Sequence, residues 1–329
     1  MFDELNAGFR AAAKNTDDLR IEVAGRPVTI RFADTATSRA LGPALRHLVR
    51  EDDRVPKLLI HAWSGGPRPF RLGEARSPND GRYIQRSSEG IAYEDTIEDL
   101  ISAFSPDRSE AWHWAAAPDS FPPWEIAAPM RMIWSWWLPT MNQVLVHAAG
   151  IAANGKGILA VGPGGSGKST LALSCLQAGL GFAGDDYVAL DPAALTVSSL
   201  YASAKIASEE LLDGMERGAA GASSPGSREM KQTAFVGERH AHQLVSSFRA
   251  VALVLPKYDP TRRTSQIARA SRADAMRAIA VPSVLQLTGY PEESLEMMAV
   301  AVKGLPAFRL RMGTDRASSV RAVRELVGS

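Results

Sequence analysis

The stretch GILAVGPGGSGKST, residues 157–170, decides the fold of the second half of the chain. Its apolar start predicts a buried strand, and the residues that follow it, up to Gly179, predict a helix. Between them, residues 162–169 fill every fixed position of the pattern G-x-x-x-x-G-K-[ST]. We call residues 162–169 the glycine loop. Strand, glycine loop and helix in this order predict an α/β domain.

The glycine loop has the residues that phosphate binding requires. Glycines let successive backbone amides converge on one point, and the following helix directs its positive end there. Lys168 adds a full charge for the β- and γ-phosphates, and the Ser169 hydroxyl is placed to ligate Mg²⁺. We therefore expect ATP and Mg²⁺ as cofactors, and nucleotide binding by Gly162, Pro163, Gly164, Gly165, Ser166, Gly167, Lys168, Ser169 and Thr170.

A pair of acidic residues, Asp185 and Asp186, follows the predicted helix. If the short strand before them runs parallel to 158–161, its carboxyl end lies at the same sheet edge as the glycine loop. Neighbouring strands are about 4.8 Å apart, so these side chains would reach the γ-phosphate or its metal. One carboxylate could then hold Mg²⁺ while the other accepts a proton. The alternative is a solvated turn.

Two other classes of nucleotide-binding protein remain alternatives. One is a GTPase-like switch, because the predicted strand at 251–255 ends in Pro256-Lys257-Tyr258-Asp259, which is similar to the guanine-reading N-K-x-D. Its asparagine is replaced, however, and the sequence contains no D-x-x-G. The other alternative is a regulatory protein that binds nucleotide without kinase turnover.

Three segments in order resemble a known family. They are VLVHAAGI (144–151), predicted as one strand, the glycine loop, and AGDDYV (183–188). Together they resemble the catalytic domain of HPr serine kinase/phosphorylase, and more closely the HPr-kinase-related kinases associated with lasso-peptide gene clusters. The resemblance covers about residues 140–195. It implies a P-loop kinase domain of the HPr kinase/PEP carboxykinase-like kind.

The resemblance also implies roles for individual residues. Asp185, His147 and Lys168 would be catalytic, with Asp185 as the base, and Asp186 would join Ser169 at the metal. The glutamate-bearing segment that follows the Asp pair in HPr kinases has no glutamate here, where 198–206 read SSLYASAKI. Lys205 in this segment would either touch phosphate or lie on a solvated face.

The predicted organisation is an α+β N-terminal domain of unknown role at 1–125 and the catalytic domain at 126–329. Alternating residues at 20–32 predict a hairpin in the first domain. The Gly, Ala and Ser-rich segment 215–229 predicts a mobile loop. The predicted function is an ATP- and Mg-dependent kinase that transfers the γ-phosphate to a hydroxyl, a serine of a peptide or small protein.

The amino-acid composition restricts the kinds of partner that the chain is expected to bind. With 37 basic and 36 acidic residues the net charge is +1, which leaves no global field for nucleic acid or an anionic membrane. The single cysteine, Cys175, and the lack of a signal peptide or a spanning apolar run favour a cytoplasmic protein. The expected partners are a nucleotide and a peptide or small-protein acceptor. We expect no binding to nucleic acid or membrane, and a homo-oligomer is compatible with the sequence.

Overall fold

The computed structural model describes residues 1–72, 81–206, 209–218, 232–287 and 289–328. The chain forms two compact units, Met1–Thr140 and Met141–Ser329. Both combine helices with a large mixed sheet. Among the described residues, no helix is both long and apolar enough to cross a membrane.

The first unit is an α+β structure around one sheet. Its strands are β1 (Asp17–Val23), β2 (Arg26–Phe32), β3 (Leu58–Ser64), β4 (Arg82–Ser87), β5 (Gly90–Asp95), β6 (Leu100–Ser105) and β7 (Glu110–Ala115). Its helices are α1 (Phe2–Ala12), α2 (Thr35–Leu41), α3 (Pro123–Ala127) and α4 (Arg131–Trp137). The sheet order is β1-β2-β3-β7-β6-β5-β4, parallel between β2, β3 and β7 and antiparallel elsewhere.

Local sequence accounts for two features of this unit. The predicted hairpin is confirmed as β1 and β2, and Ala24 and Gly25 at its turn have φ values of 50° and 76°, as tight hairpin turns require. Helix α1 buries Phe2, Leu5 and Phe9, whose spacing places them on one face. This face packs in the core of the unit with the tryptophans of β3 and β7.

The division between the units falls after the predicted boundary at residue 125. Segment 126–140 belongs to the first unit, because α4 packs against β6. Its buried residues include Trp134 and Trp136, with none of their surface exposed. The predicted boundary therefore lies before α4, the last helix of the first unit.

His47, in the helical turn Pro43–Leu48, is expected to make the stability of the protein sensitive to acid. Burial lowers the pKa of His47 from 6.5 to about 4. Below pH 6.5 His47 is protonated in the unfolded chain, whereas in the folded chain it stays neutral until about pH 4. The free energy of unfolding therefore falls as the pH falls from 6.5 to about 4. Relative to His47→Gln, we expect the wild type to lose about 2–3 kcal/mol of unfolding free energy between pH 7 and 4.5. Urea unfolding of both proteins measures this difference, and an equal loss in both would contradict it.

The second unit contains the remaining elements. Its strands are β8 (Val144–Val146), β9 (Ala148–Ala153), β10 (Lys156–Val161), β11 (Gly181–Gly184), β12 (Val188–Asp191), β13 (Thr196–Ser198), β14 (Ser203–Ile206), β15 (Met215–Arg217), β16 (Gln232–Val236), β17 (Ser247–Tyr258), β18 (Gln266–Arg269) and β19 (Ala307–Met312). Its helices are α5 (Lys168–Gln177), α6 (Arg272–Gln286), α7 (Pro291–Gly304) and α8 (Arg316–Gly328).

Most of these strands form one large mixed sheet in the order β11-β9-β10-β17-β13-β12-β8. Strand β19 pairs in parallel with the later part of β17 and antiparallel with β18. A small sheet, β14-β16-β15, stands beside it. One buried cluster joins α5 and α8 to the large sheet, and another joins α6 and α7 to it. The unit is thus a layered α/β structure.

Three expectations from the sequence need correction or restriction. The strand predicted over 144–151 is interrupted at His147, which separates β8 from β9. Strand β11 does not lie next to β10, because β9 pairs with both. Of the predicted mobile loop, 215–217 form β15, and 219–231 lie outside the described residues.

Candidate functional site

The glycine loop connects β10 to α5 as predicted. Gly165 and Gly167 have φ values of 78° and 103°, which other residues rarely adopt. A Cβ atom added at Gly164 or Gly165 would meet no atom within 4 Å. The loop therefore has open space beside its exposed part, residues 163–165, at the start of α5.

The hairpin of β9 and β10 brings His147 to the glycine loop. The two strands pair without a shift, and their last partners are Ala148 and Val161. His147 and Gly162 are the next residues on either strand. The register therefore places the predicted histidine and the first residue of the loop at the same edge of the sheet.

The acidic pair lies at the same edge of the sheet, in a gap between two strand pairings. Gly184 of β11 pairs with Gly150, and Val188 of β12 pairs with Val146. Between these pairs, residues 185–187 lie opposite 147–149 without pairing with them, while Ala148 and Ala149 still pair with β10. Strand β11 runs in the direction of β10, since each is antiparallel to β9. The predicted direction is confirmed, although β9 intervenes.

Helix α6 packs on one face of the sheet and makes hydrogen bonds at the interruption between β8 and β9. The Ser283 hydroxyl accepts a hydrogen bond from the backbone amide of His147 at 2.9 Å and donates to the Ile279 carbonyl at 2.7 Å. Near the end of the helix, Gln286 accepts from the Tyr187 hydroxyl at 2.6 Å. The helix thus holds the backbone amide of His147 and the side chain of Tyr187.

Removing the Ser283 hydroxyl should destabilise this arrangement. Ser283 is 1% exposed, so Ser283→Ala leaves the His147 amide buried without its acceptor. Such a loss costs about 1–3 kcal/mol. We expect this decrease in the urea unfolding free energy, and a much smaller one for the control Ser294→Ala on α7. Equal values for the two variants would contradict a supporting role of Ser283.

Asp185 is the most deeply buried acid of the site, at 1% exposure. Burial and the neighbouring charge of Asp186 raise its pKa to about 7, against the opposing effects of the Ser169 hydroxyl, the Lys205 amide and the Lys168 charge. The Lys205 amide donates to Asp185 Oδ2 at 3.2 Å. A carboxyl with a pKa near neutrality exchanges protons readily at pH 7.

Asp186 has the opposite electrostatic character. Burial tends to raise its pKa, but the ammonium of Lys205 and the charges of His147 and Lys168 outweigh burial and lower the pKa below its ordinary value. Lys205 Nζ lies 2.7 Å from Asp186 Oδ2. The two acids thus differ in proton affinity although they are adjacent in the chain, an arrangement found where one carboxyl exchanges protons and the other stays charged.

Lys168 is held by its own loop. Its side chain is 6% exposed, and Nζ donates to the carbonyls of Gly162 at 2.7 Å and Pro163 at 3.2 Å. The His147 ring, 6% exposed, meets the Tyr187 ring edge-on at 5.2 Å between centroids. Thr170 is half-buried in the first turn of α5.

The donors present suit phosphate and Mg²⁺. Asp185 Oδ1 and Ser166 Oγ are buried and make no hydrogen bond of good geometry to described residues. Oxygen ligands of this kind are those Mg²⁺ prefers, with nucleotide phosphates completing its coordination. The described part of the chain contains no group of three or more His, Cys, Asp or Glu residues that could hold a metal ion by itself.

The structure thus brings Lys168, Ser169, Asp185, Asp186 and His147 to one edge. Sequence reasoning missed Ser283, for which no local pattern gives a signal. It considered Lys205 without expecting the bond to Asp186, for which the only signal was a lone lysine in an apolar segment.

Asp259, from the segment similar to N-K-x-D, is engaged in its own turn. Its Oδ1 accepts from the Thr261 amide at 3.1 Å and from the Thr261 hydroxyl at 2.6 Å. This oxygen already accepts two hydrogen bonds within its own turn, which weakens the comparison with an aspartate that reads guanine.

With this geometry, the chain can be compared with known proteins. No family model matches the sequence, and no curated protein matches it. Among solved structures, the chain is similar to the HPr(Ser) kinase/phosphatase from Coxiella burnetii. The sequence identity is 12%, the TM-score is 0.29, and the match covers 56% of this chain and 99% of that chain.

Proposed function

We propose that the chain is an ATP- and Mg²⁺-dependent kinase that transfers the γ-phosphate to a hydroxyl, a serine of a peptide or small protein. The observation that carries the proposal is the geometry of one sheet edge, where the glycine loop begins α5 and the buried carboxyl of Asp185 follows β11, a strand that runs in the direction of β10. The order of motifs that resembles the HPr kinases supports the same reaction. We also propose that the protein is located in the cytoplasm.

The glycine loop would position the nucleotide. Its amides and the N-terminus of α5 offer donors to phosphate oxygens. Lys168 would exchange the carbonyls of Gly162 and Pro163 for the β- and γ-phosphates, which are stronger acceptors because they are charged. Ser169 and Asp186 would hold Mg²⁺, which when bound neutralises phosphate charge.

Asp185 would act as the base. As the acceptor oxygen bonds to the γ-phosphorus, its proton passes to Asp185, and the bond to ADP breaks with its electron pair left on ADP. Burial suits this role, because it gives the carboxylate a proton affinity that a solvated aspartate lacks. His147 would help to orient the acidic pair from the opposite strand.

Incubation with γ-labelled ATP and Mg²⁺ tests the function. The acceptor would be a pool of synthetic peptides containing serine, with a matched pool in which alanine replaces serine. We expect label on the serine pool alone. Tight ATP binding without label on any peptide would favour a nucleotide-binding regulator, and equal labelling of the two pools would contradict a serine acceptor.

A further inference from the structure

Lys205 contacts both members of the acidic pair. Its backbone amide donates to Asp185 Oδ2 at 3.2 Å, and its ammonium lies 2.7 Å from Asp186 Oδ2. The two side chains of this ion pair are only 24% and 17% exposed, so solvent screens the pair less than it screens a surface ion pair.

The position of Lys205 is fixed by its strand. Its neighbours on β14, Ala204 and Ile206, are buried in the cluster that also contains α5. Because side chains alternate along a strand, Lys205 faces away from that cluster. Lys205 also pairs with Thr233 of β16, in the middle of the small sheet. The ammonium therefore reaches the acidic pair from a paired strand whose neighbouring residues are buried.

We propose that Lys205 is a built-in cation that keeps free divalent metal off the acidic pair, so that metal enters the site only together with nucleotide. An ammonium at 2.7 Å already neutralises Asp186 and repels a second cation. Phosphate groups offer that ammonium another anion. Once Lys205 turns to them, Asp186 is released for the metal. The second half of this inference rests on the proposed function, and the first half does not.

Binding of Mn²⁺, a stand-in for Mg²⁺, to the nucleotide-free full chain tests the inference. Electron paramagnetic resonance counts free Mn²⁺ without any need for activity. We expect the wild type to bind Mn²⁺ only weakly. Lys205→Met should bind one Mn²⁺ per chain at least about tenfold more tightly, because the repelling charge is gone. Lys205→Arg, which keeps the charge, should behave as the wild type.

A double variant identifies the location of the gained site. Adding Asp186→Asn to Lys205→Met should remove the bound Mn²⁺ again. Retained binding would place the metal elsewhere and overturn the inference, as would Lys205→Met binding no better than the wild type. Circular dichroism checks folding, and Lys205→Gln replaces the methionine variant if that variant is unfolded. A wild type that binds one Mn²⁺ tightly overturns the inference without any variant.

ADP separates this inference from the proposed function. With ADP present, the wild type should take up Mn²⁺ beyond what ADP binds alone. If the chain binds no ADP, the proposed function fails, while the nucleotide-free measurements still decide whether Lys205 excludes metal. If ADP binds and brings no additional Mn²⁺, the entry of metal with nucleotide is wrong.

Discussion

Lys168→Ala is expected to weaken the binding of ATP and ADP about a hundredfold. The substitution removes the full charge that would face the phosphates, and a hydrogen bond to a charged group contributes about 1.5–3 kcal/mol. It also leaves the carbonyls of Gly162 and Pro163 without the donor that now closes the loop on itself. The loop thus loses both a ligand contact and an internal support.

Isothermal titration with Mg-ADP measures this effect. Lys156→Ala is the matched control, because Lys156 begins β10, is exposed, and lies at the opposite end of that strand from the loop. It should bind as the wild type does. If Lys168→Ala kept the affinity of the wild type, the glycine loop would not be the phosphate site.

Asp185→Asn should slow phosphoryl transfer about a thousandfold and change nucleotide affinity little. General-base catalysis contributes about 10²- to 10⁴-fold, and an amide cannot accept the proton. The fold should tolerate the change. The pKa of Asp185 is raised to about 7, so a neutral group is readily accommodated there, and an amide oxygen can still accept from the Lys205 amide.

The rate of phosphate release from Mg-ATP, with water as the acceptor, gives a measurement that needs no identified peptide. Asp107→Asn, an exposed carboxylate between β6 and β7, serves as the control and should leave the rate unchanged. Tight ADP binding by Asp185→Asn would show that the site is intact. An undiminished rate in that variant would remove Asp185 from the chemistry.

The parts of the site that sequence could predict are those that depend on local pattern. The strand, glycine loop and helix depend on residues 157–179, and the direction of β11 follows from a short connection. The interruption at His147 could not be predicted, because the segment is apolar and continuous, and the hydroxyl that accepts from the His147 amide lies on α6, far along the chain. Composition could not reveal the partner of Lys205 either, since the ion pair depends on how a second sheet is placed.

The bond between the His147 amide and the Ser283 hydroxyl has a consequence for biosynthesis. The two residues are 136 positions apart, with the glycine loop and both aspartates between them. During translation, every residue expected to bind nucleotide is therefore synthesised before helix α6, which bonds to the His147 amide. A nascent chain would carry the motif long before it has the finished site, and early contacts with nucleotide would involve an unsupported edge of the sheet.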